Sequence, residues 1–191
     1  MALAVVASGA QVSFADVIPY PGVGTENSVL YSFTAPSTGP VTAYFVGSTA
    51  AYDNDLGLRV NGVDTGIYGL NDHTSFLGQS LSFGSVTAGD SLVFVLRVNT
   101  TGDTWYSDKT LNSDGFNHVY ATPHTTTYAG IGVPPGTYVA FEDLPSGGDK
   151  NYHDENFVFT NVGTGVPDAG SSIALLSLGC AGLSLLRRRL A

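Results

Sequence analysis

The chain has 191 residues, 16 of them acidic against seven basic, a net charge of −9 and a single cysteine. Every acid lies at or before Asp168, where only Arg59, Arg97, Lys109 and Lys150 oppose them, so the clustered cations that nucleic acid or anionic lipid would need are missing. The lone Cys180 excludes a disulfide framework, and the length suits one domain of about 150 residues between two specialised ends.

In chain order, residues 2–15 form a small-residue apolar run ending Ser13-Phe14-Ala15, with small side chains where a signal peptidase reads. This reads as a signal peptide truncated in its basic region, with Asp16 opening the mature domain. Residues 16–162 then read as β throughout. Residues 28–34 alternate, 41–46 and 92–98 are near-continuous apolar runs, and Leu81, Phe83, Val93 and Val95 repeat at period two. Asn61-Gly62 between two valines marks a hairpin, because both residues accept the positive φ of a type I′ turn. Asp53-Asn54-Asp55 reads as a turn. His73, His118, His124 and His153 lack metal-ligand spacing and read as surface or turn residues. The expected fold is an all-β, two-sheet antiparallel sandwich of jelly-roll type, followed by one C-terminal transmembrane helix.

The segment 141–159 holds the densest chemistry. Strands are expected over 137–142 and 155–160, and the loop joining them is far longer than the usual two to five residues of a hairpin. It gathers Asp143, Asp149, Asn151 and Asp154 around Gly147-Gly148. Carboxylates this close repel unless they protonate, spread into water or share a cation. Calcium suits them, because it takes 6–8 oxygens in tolerant geometry. The expected ligands are Asp143, Asp149 and Asp154, supported by Asn151 and Glu142. The loop is no EF-hand, since Asp154 stands where the sharp-turn glycine belongs. The competing reading is a solvated acidic loop with Phe141, Tyr152, Phe157 and Phe159 in the core.

Residues 163–168 read as a linker running into Val166, Pro167, Asp168 and Gly170. An apolar stretch over 173–186 follows, short against the roughly 17–25 residues of a spanning helix, and Arg187, Arg188 and Arg189 close the series. Arginines resist translocation, so this order predicts a marginal membrane stop with its basic end in the cytoplasm. The three zones resemble the PEP-CTERM sorting signal in its V-P-D-x-G form. That resemblance implies recognition by an exosortase-type sorting protease, transient anchoring in the inner membrane, removal of the helix and delivery to the cell surface or extracellular matrix of an exopolysaccharide-producing bacterium. Phe141-Glu142-Asp143-Leu144-Pro145, Gly147-Gly148-Asp149, Tyr152 and Asp154 likewise resemble the hallmark of a bacterial extracellular domain family of unknown function, F-E-D-L-P-x-G-G-D-x-D-Y-N-D, which often accompanies such tails. Asn151 and His153 depart from it. Residues 104–118 look like the same family's upstream half.

Two other functions compete with a non-catalytic envelope protein. Paired carboxylates at 142–154 could serve a glycoside hydrolase, but no nucleophile elbow, P-loop or zinc helix motif accompanies them. Exposed aromatics could serve a lectin-like module for exopolysaccharide, with Trp105 and Tyr106 as its contacts and Tyr120 and Tyr128 beside them.

Overall fold

The computed structural model describes residues 17–126 and 132–165. They form eleven strands in two antiparallel sheets: β1 (Ser32–Thr34), β2 (Gly39–Ser48), β3 (Asn54–Val60), β4 (Val63–Gly69), β5 (Ser80–Val86), β6 (Ser91–Val98), β7 (Asp103–Tyr106), β8 (Val119–His124), β9 (Gly136–Phe141), β10 (Glu155–Thr160) and β11 (Gly163–Gly165). The first sheet runs β11-β1-β6-β3-β4, with β7 also on β6; the second runs β5-β2-β10-β9-β8. The only helical pieces among the described residues are single 3-10 turns at Lys109–Leu111 and Pro145–Gly147. The all-β, two-sheet expectation therefore holds.

Local chemistry sets several of these elements. Asn61 and Gly62 both take positive φ, 50° and 81°, and close the β3–β4 hairpin with Val60 opposite Val63. In β3, Asn54, Leu56 and Leu58 share one face; in β10, Glu155, Phe157 and Phe159 share another, as period-two geometry requires. These faces meet between the sheets in a core that also holds Phe33, Phe94, Leu96, Trp105, Val139 and Phe141. Phe94 and Phe159 stack across the gap with centroids 4.0 Å apart.

The second sheet is covered on its outer side as well. Tyr138, Ala140 and Val158 project there and pack with Tyr20, Phe116, Val133 and Tyr152. Burial on both faces is the reason residues 138–141 of β9 and 157–159 of β10 are continuous apolar runs.

Four expectations shift. Asn54 and Asp55, expected in a turn, are the first two residues of β3. The alternation over 28–34 yields a strand only at Ser32–Thr34, because Asn27 is drawn away to donate through its side chain to the Val119 carbonyl at 3.0 Å. The strand expected over 137–142 spans Gly136–Phe141. Residues 163–165, expected as linker, form β11 against β1. The signal peptide over 1–15, the C-terminal helix and the arginines lie outside the described residues.

Candidate functional site

The long β9–β10 connection does not gather its acids around one point; it divides them. Phe141 ends β9 inside the core, so the next side chain, Glu142, turns outward and the one after it, Asp143, turns back in. Glu142 is fully buried and accepts the Tyr152 amide through Oε1, while its Oε2 has no hydrogen-bond partner. Burial, with the charges of Asp149 and Asp143 added, pushes the Glu142 carboxyl up to about 7. Tyr152 in turn donates its hydroxyl to the Asn117 carbonyl at 2.8 Å and accepts the Asn27 amide at 2.9 Å. Glu142 and Tyr152 thus fasten the loop and the segment around Asn27 to the outer face of the second sheet.

Asp149 and Asn151 stand apart from the deeper acids. Asp149 is exposed and is satisfied locally, accepting the Asn151 side-chain amide at 2.6 Å and its backbone amide at 3.2 Å. Of the ligand set expected from sequence, only Asp143 and Asp154 come together on the inner side of the loop. Asp154 Oδ2 accepts the Asp143 amide at 3.0 Å.

Residues distant in sequence join them there. Asn54, the first residue of β3, donates its side-chain amide to Asp143 Oδ2 at 3.0 Å and its backbone amide to Asp72 Oδ1 at 2.8 Å. Glu155, the first residue of β10, follows Asp154 and pairs with Phe141 of β9. The side chain of Asp72 is 1% exposed, and Asn54 and Glu155 are 0% exposed. Asn54 Oδ1, Asp72 Oδ2 and both carboxyl oxygens of Glu155 make no hydrogen bond; Asp72 Oδ2 lies 3.5 Å from His73 Nε2. Burial, reinforced by Asp72, Asp55, Asp143 and Asp154, drives the Glu155 carboxyl well above its ordinary 4.5. Burial, with Asp143 and Glu142 adding their charge, carries Asp154 to about 8. A surface pocket of about 220 Å³, lined by Ala51, Tyr52, Asp143, Leu144 and Asp154, opens onto this group.

Asn54, Asp72 and Glu155 were not singled out as site residues in the sequence. Period two was the available signal, since it places Asn54 in line with Leu56 and Leu58, and Glu155 in line with Phe157 and Phe159. A polar residue at the end of each inward face therefore had to enter the same space.

Among the described residues, Trp105, Tyr106 and Tyr120 do not form one exposed platform. Trp105 is 2% exposed, stacked on His118 and donating Nε1 to the Asp143 carbonyl at 2.7 Å, so its face is closed to a sugar. Tyr106 is half-buried beneath Arg59, and Tyr120 packs on Tyr20 and Tyr138 against the other sheet; Tyr128 lies outside the described residues. Two of the four histidines depart from expectation. His118 and His124 are buried, and His118 bonds the Glu142 carbonyl at 2.8 Å and Asp114 at 3.1 Å. His73 is exposed and His153 partly so.

Residues 86–161 match DUF4114, a domain of unknown function, and residues 165–190 match the VPDSG-CTERM motif. The first match takes in β6 through β10 and with them Asp143, Asp154 and Glu155. The second begins at Gly165, the last residue of β11, which is an edge strand of the first sheet. Such a tail fits an exported surface protein processed by an exosortase-type system. No curated protein and no solved structure matches the chain.

Proposed function

We propose that this chain is a non-catalytic component of the cell envelope or extracellular matrix, carried across the inner membrane, held there briefly by its C-terminal tail and released to the surface after an exosortase-type protease removes that tail. The observation that carries the reading is the VPDSG-CTERM match over residues 165–190, which includes Val166, Pro167, Asp168, Gly170 and the three terminal arginines.

A structural rather than catalytic role draws support from how the acids are used. Glu142 is enclosed and committed to the Tyr152 amide. The pocket that reaches Asp143 and Asp154 is about 220 Å³, below the roughly 300–1,000 Å³ of small-molecule sites. A glycan-binding role has less behind it, because Trp105 is buried.

Mass spectrometry of the mature protein from its native host tests the address. The expected product ends near Asp168 and lacks Arg187, Arg188 and Arg189. Recovery of surface protein with the arginines intact, or retention in the cytosol of a reporter fused ahead of Val166, rejects the sorting route. Release of reducing ends from a polysaccharide panel by the purified protein rejects the non-catalytic part.

A further inference from the structure

The inward faces of opposite sheets each end in an oxygen-bearing side chain at the same end of the sandwich: Asn54 on β3, Asp143 beyond β9 and Glu155 on β10. Asp72, from the loop after β4, and Asp154 complete the group. Its most enclosed member is also its least satisfied, for Glu155 is 0% exposed and neither carboxyl oxygen has a partner. An isolated buried carboxylate is costly enough that it must gain a proton or a cation. The carboxyl groups of Asp72, Asp55, Asp143 and Asp154 all act against its charge, and two further buried oxygens, Asn54 Oδ1 and Asp72 Oδ2, also accept no hydrogen bond.

We propose that Asn54, Asp72, Asp143, Asp154 and Glu155 form a calcium site that ties the first sheet to the second. The donors are all oxygens, the preference of calcium rather than of zinc or copper. The pocket beside Asp143 and Asp154 gives the ion and its remaining water ligands a way in. Among the described residues no three acidic, histidine or cysteine side chains converge on one point as they stand, so binding requires side chains to turn. The groups best placed to turn are those with oxygens that accept nothing: Glu155, Asp72 and Asn54. One divalent ion then replaces carboxylate repulsion with attraction across the sheet gap. This differs from a loop-tip site, because Asp149 and Asn151 satisfy each other outside it.

Extracellular calcium modules bind at about 10⁻⁴–10⁻³ M, so the site rests on the export proposed above for its supply of ion. Purified protein separates the two questions, since calcium is then provided whatever the address. The full chain, stripped with chelator, is titrated with calcium chloride while melting temperature and the emission of Trp105 are followed. Trp105 is the sole tryptophan and is bonded to the Asp143 carbonyl. The expected result is a saturable response, with melting raised by about 5–10 °C at roughly a hundredfold excess over half-saturation. Magnesium at equal concentration should give a far smaller rise. Glu155→Gln and Asp72→Asn should abolish the calcium response, and Asp149→Asn should keep it. Absence of any shift at about 10 mM calcium, an equal response to magnesium, a response surviving both inner substitutions, or one lost in Asp149→Asn would each overturn the site. Should the inner variants fail to fold, equilibrium dialysis of the unaltered chain with radiolabelled calcium decides: one ion per chain supports the site, and none refutes it.

Discussion

The indole of Trp105 lies flat on the imidazole of His118, centroids 4.0 Å apart and planes inclined by 8°, while its Nε1 donates to the Asp143 carbonyl at 2.7 Å. One side chain of the first sheet thereby holds both β8, through the His118 stack, and the start of the acidic loop. Removing it opens a large void in the core. Trp105→Ala is expected to cost about 3–5 kcal/mol, and Trp105→Phe, which keeps a ring but strands a buried carbonyl, about 1–3 kcal/mol. Denaturant unfolding checks both. A Trp105→Ala variant of unchanged stability would contradict the packing role and reopen the sugar-contact reading.

The buried acids set a pH dependence whose sign is unusual for carboxyl groups. In Glu142, Asp154 and Glu155 burial raises the folded-state value, to about 7, about 8 and well above 4.5, against ordinary values of 4.5, 3.8 and 4.5. The folded chain therefore holds more protons than the unfolded one between about pH 4 and 8, and stability declines as pH rises through that window. His118 opposes this, since burial lowers it below 6.5 and the unfolded chain gains a proton there as pH falls. Asp72, also raised by burial, joins the three, while the lowered acids Glu26, Asp53, Asp64, Asp90 and Asp114 oppose them mainly below about pH 4.5, at the acid end of the window. Melting in chelator is expected to drop steadily from about pH 4.5 to 8; a flat or rising curve would show that these carboxyls ionise freely in the fold.

How much of this was legible in the sequence follows from where each signal sits. The Asn61-Gly62 turn, the apolar runs of β2 and β6 and the core aromatics Phe141, Phe157 and Phe159 are local patterns, and the structure bears them out. The loop acids are also visible locally, but proximity in sequence groups Asp149 with Asp143 and Asp154. Strand alternation sends neighbours to opposite faces, and that separates Glu142 from Asp143. Period two puts Asn54 on the inward face of β3, but bringing it and Asp72 to the loop acids takes the pairing of β3 with β4 and the packing of one sheet on the other, which no local pattern encodes. Trp105 misled because a tryptophan in a short polar strand looks exposed until β8 and the acidic loop are placed over it.

Asn117 is the hinge pin of the segment that precedes β1. Its side-chain amide donates to the Asn27 and Val29 carbonyls, both at 2.9 Å, and its Oδ1 accepts the Val119 amide at 3.2 Å. Asn117→Ala leaves those groups unpaired, and the expected loss is about 1–3 kcal/mol. The nearby Lys109–Glu26 pair, 2.6 Å long and about a third exposed on each side, is a surface ion pair, so Lys109→Ala should cost under about 1 kcal/mol. Hydrogen exchange over residues 24–31 should accelerate in the first variant and stay near normal in the second. Equal exchange in both would mean that the segment is held by something other than Asn117.

The paired glycines of the loop, Gly147 and Gly148, have a packing reason beyond their backbone angles. Gly147 takes φ 72°, and an added Cβ there would strike the Phe116 ring; Gly148 takes φ 45°, and its Cβ would meet Leu144 at 2.9 Å. Gly115 supplies the comparison, with φ 67° and open space around the same position. Gly115→Ala should therefore cost only the left-handed backbone penalty, about 1–2 kcal/mol. Gly147→Ala carries the same penalty and must also displace Phe116 from the cluster around Tyr138 and Tyr152, an overpacking of about 1–3 kcal/mol more. Thermal unfolding of the two variants side by side measures that difference. If they lose the same stability, conformational freedom alone demands glycine at 147, and the close approach of the loop to Phe116 contributes nothing to holding it over the sheet.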